Sequence, residues 1–435
     1  MTRMKDSGIE WIGEVPEEWG LKPIKYLVST PVTDGPHETP TLYDDGIPFL
    51  SAESVKNGIL DSRYKRGYIS ETAHKIFSRK VSPQKNDIFI VKSGATTGNV
   101  GIVTTDEIFD IWSPLALVRT RSDLANQKFI YYFMLSDAFT KQIQNKWSFG
   151  TQQNIGMGVI EKIKLVVPPL DEQTQIANFL DKKVAQLDSV KSLLEEQVKT
   201  LEDYRQSLIY QTVTKGLDKT VPLKDSGVDW IGQIPEGWGV GKLKYYFDVQ
   251  LGKMLQPSAI NGNDIEIDYL RAINVQWDNI LVDNLSKMWC NPSEVSKYEI
   301  MNGDLLVCEG GEVGRCGIVE YLSDRAIIQN AVHRIRSAER ANVRFLNYYI
   351  QHTTKSKWFD ILCNKATIAH LTSEKLLNTL VVLPSISEQI QIADFLDKKT
   401  EQINQMIAIK KEQIENINKQ RQTLIYDVVT GKRRI

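Results

Sequence analysis

The residue types that most often bind metals or act as nucleophiles are few and scattered in this chain. No pair of its four cysteines has Cys-x-x-Cys spacing, and its five histidines share no metal-ligand spacing with one another or with the cysteines. This usage indicates reduced thiols and argues against a disulfide scaffold or a zinc site. The cysteines are Cys290, Cys308, Cys316 and Cys363, and the histidines are His37, His74, His333, His352 and His370.

Motifs of several common enzyme classes are missing as well. The chain has no Gly-x-Ser-x-Gly, no Walker A loop, no Glu-x-Lys and neither Asn-Pro-Pro-Tyr nor Asp-Pro-Pro-Tyr. These patterns would carry, respectively, an acyl-transfer nucleophile, a nucleotide phosphate, a nuclease metal and the amino group of a methyl-transfer substrate. Their joint absence favours binding over catalysis.

Two glycine-rich segments offer a different chemistry. Residues 92–99 read KSGATTGN and residues 309–315 read EGGEVGR, so similar glycines carry different polar side chains. Such side chains discriminate base edges, since arginine suits guanine, asparagine or glutamine suits adenine, and glutamate accepts from cytosine. Residues 150–154 and 365–370 supply a second pair of polar tips. The alternative is that these segments are hairpin turns in which glycine has only a conformational role.

Basic residues are concentrated locally, although the formal net charge of the whole chain is only −1. Residues 63–92 hold eight lysines and arginines against two acids, and residues 325–365 hold the same numbers, so each stretch has a local charge of +6. Such clusters suit contacts with the phosphates of nucleic acid. The alternative is a solvated surface whose acidic partners come from elsewhere in the fold.

The length of 435 residues, with 42% hydrophobic and 25% charged residues, is typical of a globular protein of more than one domain. No apolar run reaches the ~18 residues of a membrane span. No apolar segment follows the charged residues at positions 1–6, so a secretory signal is not expected. We therefore expect a cytoplasmic protein.

The chain consists of two similar halves. Residues 4–28 match residues 223–247 at 13 of 25 positions, and residues 172–214 match residues 388–430 at 20 of 43 positions without a gap. The blocks between these matches differ in length by only three residues but have diverged in sequence. A unit of about 217 residues has therefore been duplicated in tandem, and two copies are too few for a solenoid.

Within each copy the sequence predicts an α+β domain followed by one long helix. Segments 87–92, 101–105 and 115–120 are typical of strands, and 123–145 and 339–362 have helical spacing of apolar residues. We expect an irregular antiparallel sheet with short helices. The predicted boundaries are 1–170 for the first domain with head segment 4–28, 171–216 for the first long helix, 217–386 for the second domain with head segment 223–247, and 387–435 for the second long helix.

Both long helices carry a heptad pattern. Apolar residues recur every seven positions, with a second series three positions earlier, and a few polar residues interrupt both series. The pattern predicts that the helices pair as an antiparallel coiled coil, which would relate the copies by a pseudo-twofold axis. The alternative is that each helix packs only on its own domain. The first series contains Leu180, Leu187, Leu194, Leu201 and Leu208, and its counterpart contains Leu396, Ile403, Lys410, Ile417 and Leu424.

With these features the chain resembles the specificity subunits of type I restriction-modification systems. The resemblance rests on DSGIEWIGEVPEEW and DSGVDWIGQIPEGW at the head of each half, and on PPLDEQTQIANFLDKK and LPSISEQIQIADFLDKK at the start of each long helix. It covers essentially the whole chain. It implies that each diverged block is a target recognition domain that reads one half of a bipartite, asymmetric DNA site, and that the helices form the spacer.

The resemblance also implies a set of partners. They are double-stranded DNA, two methyltransferase subunits bound to this chain, and motor-nuclease restriction subunits recruited through the complex. The partners would bind S-adenosylmethionine, ATP and magnesium, while this chain would be a non-catalytic subunit without a cofactor, acting in host defence. Two other hypotheses are a protein-binding scaffold without DNA specificity and a stand-alone DNA-modifying enzyme.

Candidate DNA-contacting residues combine the basic stretches with the polar tips of the glycine-rich segments. In the first half they are Arg63, Lys65, Arg66, Lys92, Ser93, Thr96, Thr97, Asn99, Thr151, Gln152 and Gln153. In the second half they are Arg271, Arg315, Lys365, Thr367 and His370.

Overall fold

A computed structural model describes residues 3–146, 148–149, 153–338, 341–363 and 370–435. The chain divides into two compact units. The first unit comprises residues 1–195 and 411–435, and the second comprises residues 196–410. Both long helices, Leu170–Lys215 and Ile386–Val429, contribute to both units.

Short helices decorate the domains, and many begin at a side-chain cap. Ser70, Asn126 and Asn342, for example, each accept a hydrogen bond from a backbone N–H in the first turn of the helix that follows. The helices are α1 Glu71–Phe77, α2 Gln127–Met134, α3 Asp137–Gln144, α4 Met157–Lys162, α5 Leu170–Lys215, α6 Pro292–Tyr298, α7 Val343–Lys355, α8 Trp358–Leu362, α9 Ser373–Asn378 and α10 Ile386–Val429. Single 3₁₀ turns lie at Ile24–Tyr26, Ala52–Ser54, Ser62–Tyr64, Leu243–Tyr245 and Ala272–Asn274.

The first unit contains the predicted strands in one main sheet with smaller sheets around it. The main sheet has the order Thr33–Asp34, Leu115–Val118, Ile88–Val91, Val100–Ile102, Ile59–Leu60 and Val55–Lys56. A second sheet has the order Asp110–Ile111, Ile47–Leu50 and Gly67–Ile69. The strand pairs are Met4–Asp6 with Glu14–Pro16, Lys164–Val167 with Gly20–Pro23, and Ser148–Phe149 with Gln153–Asn154.

The second unit repeats this plan. Its main sheet has the order Phe247–Leu251, Val332–Ser337, Leu305–Cys308 and Cys316–Ile318. A second sheet has the order Ser286–Cys290, Ile265–Leu270 and Ala326–Ile328. The strand pairs are Leu223–Asp225 with Gln233–Pro235, Gly239–Lys242 with Leu380–Leu383, and Val275–Gln276 with Asn279–Ile280.

The predicted α+β class and the tandem duplication are confirmed, but the sheets are mixed and not purely antiparallel. Asp110–Ile111 runs parallel to Ile47–Leu50, and Ala326–Ile328 runs parallel to Ile265–Leu270. Each of these pairs joins strands about sixty residues apart in the chain, and connections of that length allow parallel pairing. Such pairing leaves no local signal in the sequence.

The heptad residues of the long helices form a buried seam, as the spacing predicts. Leu180 and Val184 in α5, and Leu396 and Ile403 in α10, are buried, whereas most intervening positions are exposed. In the first unit Asp188 pairs with Arg421 at 3.1 Å, and in the second Gln197 bonds to Lys410 at 2.6 Å. Residue numbers rise along one helix as they fall along the other. The helices are therefore antiparallel, and the predicted coiled coil is confirmed.

Each head segment docks on the start of its own long helix. Trp19 Nε1 donates to Glu172 Oε2 at 2.9 Å in the first unit, and Trp238 Nε1 donates to Glu388 Oε2 at 3.0 Å in the second. Both indoles are almost fully buried. The duplicated tryptophans therefore bury apolar area and also pair their polar edge, as buried tryptophans usually do.

The end of α10 closes on the head segment of the first unit. Tyr426 donates to the Trp11 carbonyl oxygen at 2.9 Å, and Arg434 pairs with both Glu18 and Glu172. Gly431 follows α10 with a φ of +76°, where a Cβ would lie 2.4 Å from Pro16 Cδ. Only glycine satisfies both the left-handed backbone and the close approach.

We expect Gly431→Ala to destabilise the chain by about 2–4 kcal/mol, because overpacking adds to the cost of a left-handed alanine. Gly13→Ala is the matched control, since Gly13 has a φ of +66° but open space around its Cα. The control should cost only about 1–2 kcal/mol. Urea-induced unfolding of both variants measures the difference, and equal losses would show that contact with Pro16 is unimportant.

Candidate nucleic-acid interface

In the first unit, the glycine-rich segment meets other strand ends at one edge. The backbone N–H of Gly94 bonds to the Gln153 carbonyl oxygen at 3.2 Å, and that of Lys92 bonds to the Pro114 carbonyl oxygen at 2.8 Å. The backbone of Ser113 bonds in turn to the Pro36 carbonyl oxygen at 3.1 Å. We call this the first edge, and its residues are His37, Ser93, Trp112, Ser113, Gln153 and Asn154.

The first edge joins two of the predicted polar segments. Ser93 and Asn154 form a β-bridge, so residues 92–99 and the end of 150–154 lie side by side. Thr97 is buried, and its hydroxyl donates to the Gly94 carbonyl oxygen at 2.6 Å, which holds the turn closed. Thr96 and Asn99 are exposed. Thr151 and Gln152 lie outside the described residues.

A buried carboxylate lies behind the first edge. Asp34 is 1% exposed and pairs with Lys80 at 2.7 Å, Lys92 at 2.9 Å and His37 at 3.0 Å. Burial alone would raise the pKa of Asp34, but the hydrogen bonds from Lys80 and Lys92 outweigh it and lower the pKa. The Lys92 ammonium is therefore engaged with Asp34, which weakens its case as a phosphate contact.

Other cations of the first basic stretch also have carboxylate partners. Arg63 pairs with Asp61 at 2.7 Å, and Arg66 lies 3.4 Å from Glu53 while its guanidinium stacks 4.4 Å from the Trp112 ring centre. Lys65 lies over the Tyr68 ring at 4.7 Å. For these residues the acidic or aromatic partners expected of a solvated surface are present. Arg66 is the one that contacts the first edge directly, through Trp112.

The second unit has an equivalent edge. The Lys253 carbonyl oxygen accepts from the backbone N–H of Asn330 at 2.9 Å, as the Pro36 carbonyl oxygen accepts from Ser113 in the first unit. The backbone N–H of Glu309 donates to the Ala331 carbonyl oxygen at 3.0 Å. The Glu309 carbonyl oxygen accepts from Leu371 N at 2.8 Å. We call this the second edge, and its residues are Lys253, Met254, Glu309, Gln329, Asn330 and His370.

The predicted site residues of the second half divide between two places. His370 is exposed on the second edge, where its ring lies over Gly310. Arg271 is exposed at the start of the turn Ala272–Asn274, and Arg315 donates to the Ala272 carbonyl oxygen at 2.9 Å, so these two arginines lie close together. Lys365 and Thr367 lie outside the described residues.

The second basic stretch is largely neutralised. Arg336 pairs with Asp304 at 2.5 Å and Arg325 with Glu299 at 2.6 Å. Arg344 contacts two carboxylates on α10, and Arg334 is buried with its guanidinium on backbone carbonyl oxygens. These cations stabilise the fold, so the local charge of +6 does not correspond to a free basic surface.

Some residues of both edges were not among the predicted candidates. His37, Trp112, Gln329 and Asn330 reach the edges because strands distant in the chain end there. The sequence signal that could have indicated these positions is a pair of equivalent glycines, Gly35 and Gly252, which lie two residues before His37 and Met254. A Cβ on Gly35 would lie 2.2 Å from the Ile111 carbonyl oxygen, and one on Gly252 would lie 2.3 Å from the Gln329 carbonyl carbon.

Within the part of the chain that the structure describes, no group of three or more histidine, cysteine or acidic side chains could hold a metal ion. In the same part, no helix combines the length and hydropathy needed to cross a membrane.

The sequence matches the family described as the type I restriction modification DNA specificity domain, twice, over residues 31–200 and 235–417. The chain belongs to this family. The two matched regions are one in each half of the duplication, so the chain carries two specificity domains.

Relatives that match over most of their length are specificity subunits of type I restriction enzymes. The chain is 26% identical over 443 residues to the type I restriction enzyme MjaVIII specificity subunit of Methanocaldococcus jannaschii, covering 97% of this chain and 94% of that protein. It is 23% identical to the EcoKI specificity subunit of Escherichia coli K12, over 87% of this chain and 82% of that protein. The predicted resemblance is therefore confirmed.

Solved structures show the same fold. A chain from a study of complex assembly and conformational transition of the type I R-M system matches with a TM-score of 0.70 at 14% identity, over 96% of this chain and 99% of that chain. The HsdS subunit of Thermoanaerobacter tengcongensis matches with a TM-score of 0.50 at 15% identity, over 96% and 98%.

The first specificity domain contains a buried ion pair that the second lacks. His74 Nδ1 lies 2.5 Å from Asp110 Oδ2, two residues before Trp112 of the first edge, and Asp110 is 1% exposed. In the second domain Val295 lies four residues after the helix cap Asn291, as His74 lies four residues after Ser70. Ile327 pairs with Tyr269, three residues before a 3₁₀ turn, as Asp110 pairs with Phe49. Val295 and Ile327 pack together. The fold therefore does not require the ion pair.

We expect the double variant His74→Val/Asp110→Ile to be as stable as the parent or more so, because well-packed apolar residues replace buried ion pairs without loss. His74→Val alone should cost roughly 1–3 kcal/mol at pH 7 by isolating a buried carboxylate. Burial raises the pKa of Asp110, so the folded chain binds that proton more tightly than the unfolded chain does. The penalty should therefore grow as the pH rises from about 4 to 7. Urea unfolding at several pH values tests this, and a pH-independent penalty would contradict it.

Proposed function

We propose that this chain is the subunit that gives a type I restriction-modification complex its DNA sequence specificity. Each specificity domain reads one half of a bipartite, asymmetric site through its edge. The paired helices act as the spacer, so their length determines how many bases lie unread between the half-sites. Methyl transfer, translocation and cleavage belong to partner subunits, which bind S-adenosylmethionine, ATP and magnesium, and this chain needs no cofactor.

The observation that carries this proposal is the contrast between two equivalent edges. The close glycine contact and three backbone hydrogen bonds are equivalent in both, so this part of the scaffold is retained. The side chains differ in donor and acceptor character, with Lys92 where the second edge has Glu309, and His37 where it has Met254. Side chains of different hydrogen-bonding character select different base pairs in the major groove. Two readers of different half-sites need this combination.

Phosphate contacts in this proposal come from few side chains of this chain. His370 is exposed on the second edge, Arg271 is exposed at the turn Ala272–Asn274, and Arg66 stacks on Trp112 at the first edge. Of the other described cationic candidates, Arg63, Lys92 and Arg315 pair with carboxylates and Lys65 lies over the Tyr68 ring. We infer that base edges, more than phosphates, are what this subunit contacts, and that partner subunits add phosphate contacts.

Methylation mapping in cells tests the proposal. Cells that express the chain with its cognate methyltransferase subunit should methylate a bipartite motif, and cells without the chain should not. In the same assay, Gln329→Ala should relax the motif at one half-site only, because Gln329 lies on the second edge. Gln84→Ala is the control: Gln84 belongs to the first unit and is not one of the edge residues, so this variant should leave the motif unchanged.

No change in methylation upon removal of the chain would contradict DNA specificity and favour a protein-binding scaffold. Methyl transfer by the purified chain alone would instead favour a stand-alone modifying enzyme. Relaxation of both half-sites by Gln329→Ala would contradict the assignment of one half-site to each domain.

The long helices also present a repeated apolar surface away from their seam. Val190 and Leu193 on α5 are exposed, and so are Met406 and Ile409 on α10, which are their counterparts at the repeat offset of 216 residues. Exposed apolar residues that recur in both copies favour a partner that binds twice. We propose that each pair docks one methyltransferase subunit.

Leu193→Glu together with Ile409→Glu should abolish co-purification of the methyltransferase subunit, because each places a charge in an apolar contact. Tyr204→Glu is the matched control, since Tyr204 is equally exposed on α5 but its counterpart is Gln420. Unchanged co-purification of the double variant, or equal loss in the control, would rule out this docking surface. Each single variant should retain one partner, measured by the mass of the complex.

A further inference from the structure

One loop of the second unit exposes several large apolar side chains. Residues 252–264 connect strand Phe247–Leu251 to strand Ile265–Leu270. Within this loop Met254 is 77% exposed, Leu255 51% and Ile260 80%. Single exposed apolar residues are common, but three on one loop beside a polar edge indicate a binding surface.

The loop is held in place by its own hydrogen bonds. Asp264 Oδ2 accepts from the backbone of Ile260 at 2.8 Å and from the Gln256 side chain at 2.8 Å. Gly252 leaves no space for a Cβ against Gln329, and Lys253 pairs with Glu294 at 2.7 Å. The apolar tips therefore project from a fixed support, as a recognition element requires.

The backbone next to Met254 is bonded to segments that carry polar side chains. Lys253 precedes Met254, and its carbonyl oxygen accepts from the backbone N–H of Asn330. Gln329 precedes Asn330, and Ala331, which follows it, accepts from the backbone N–H of Glu309. Glutamine and asparagine suit adenine, glutamate accepts from an exocyclic amino group, and apolar side chains contact the 5-methyl group of thymine. Amide and apolar groups on one edge therefore match the major-groove face of an A·T pair.

We propose that Met254 contacts the 5-methyl group of a thymine in the half-site read by the second specificity domain. This inference rests on the proposed function and adds the base type. The first domain has the polar His37 at the equivalent position, where its ring contacts Asp34 at 3.0 Å. The methyl contact therefore belongs to one half-site only.

Binding to DNA that lacks single methyl groups tests the proposal. The full chain, assembled with its methyltransferase subunits, is titrated with duplexes of the mapped site in which each thymine in turn is replaced by deoxyuridine. We expect about fourfold weaker binding at one thymine of the second domain's half-site, the factor for one buried methyl-sized group. Met254→Ala should bind thymine and uracil equally at that position.

Met301→Ala is the matched control. Met301 is also exposed in the second unit, but it precedes strand Leu305–Cys308, whereas Glu309 follows that strand. This variant should keep the preference for thymine, and an unchanged melting temperature of Met254→Ala would show that the loop is intact.

Three outcomes separate the inference from the function on which it rests. Binding that is insensitive to uracil at every thymine of that half-site would overturn the methyl contact. A preference for thymine that persists in Met254→Ala would overturn the role of this residue. In both cases specific binding to a bipartite site would still stand, whereas the absence of any such site would overturn the proposed function itself.

Discussion

The buried seam between α5 and α10 is the interaction on which the rest of the structure depends. In each unit the seam is continuous with the core of a specificity domain: Leu180 shares one core with Trp19 and Ile425, and Leu396 shares another with Trp238 and Ile209. The strands Lys164–Val167 and Leu380–Leu383 lead directly into these helices while pairing with the head segments. Burial of apolar side chains is the dominant favourable term in folding, so domain, head and helix are stabilised together.

The side chains at the two edges are not part of this seam and have diverged between the domains. Gly35 and Gly252 keep a close backbone approach that only glycine permits, and the same main-chain bonds recur around both. The side chains that these bonds position have diverged, from Lys92 to Glu309 and from His37 to Met254. Even buried residues near the edge differ, since the His74–Asp110 pair has apolar counterparts in the second domain. A scaffold whose stability is set elsewhere can exchange its recognition chemistry at small cost.

Sequence patterns predicted the parts of this structure that local periodicity encodes. The repeat, the strands around Ile88–Val91 and Leu115–Val118, and the heptad seam all follow from residues close in the chain. Contacts between residues distant in the chain could not be predicted from the sequence. The basic stretches suggested phosphate contacts, but Asp34 lies 46 residues from Lys80, and Asp304 lies 32 residues from Arg336, so no local pattern reveals the neutralisation. Trp112 and Gln329 follow strands that pair in parallel with distant strands, and His37 follows a strand that pairs with residues more than eighty positions away, so none of the three has a local signature.

The neutralised cations bear on how such a subunit selects its site. Phosphate contacts supply nearly all non-specific affinity for DNA, and they make binding steeply dependent on salt. When Lys92 and Arg336 are held by buried carboxylates, they add rigidity to the domain and little to that non-specific affinity. Discrimination then depends on base contacts worth ~1–3 kcal/mol each. Because a genome offers a vast excess of wrong sites, the ratio of specific to non-specific affinity matters more than affinity itself. A reader with few free cations, combined with partners that hold the duplex, raises that ratio.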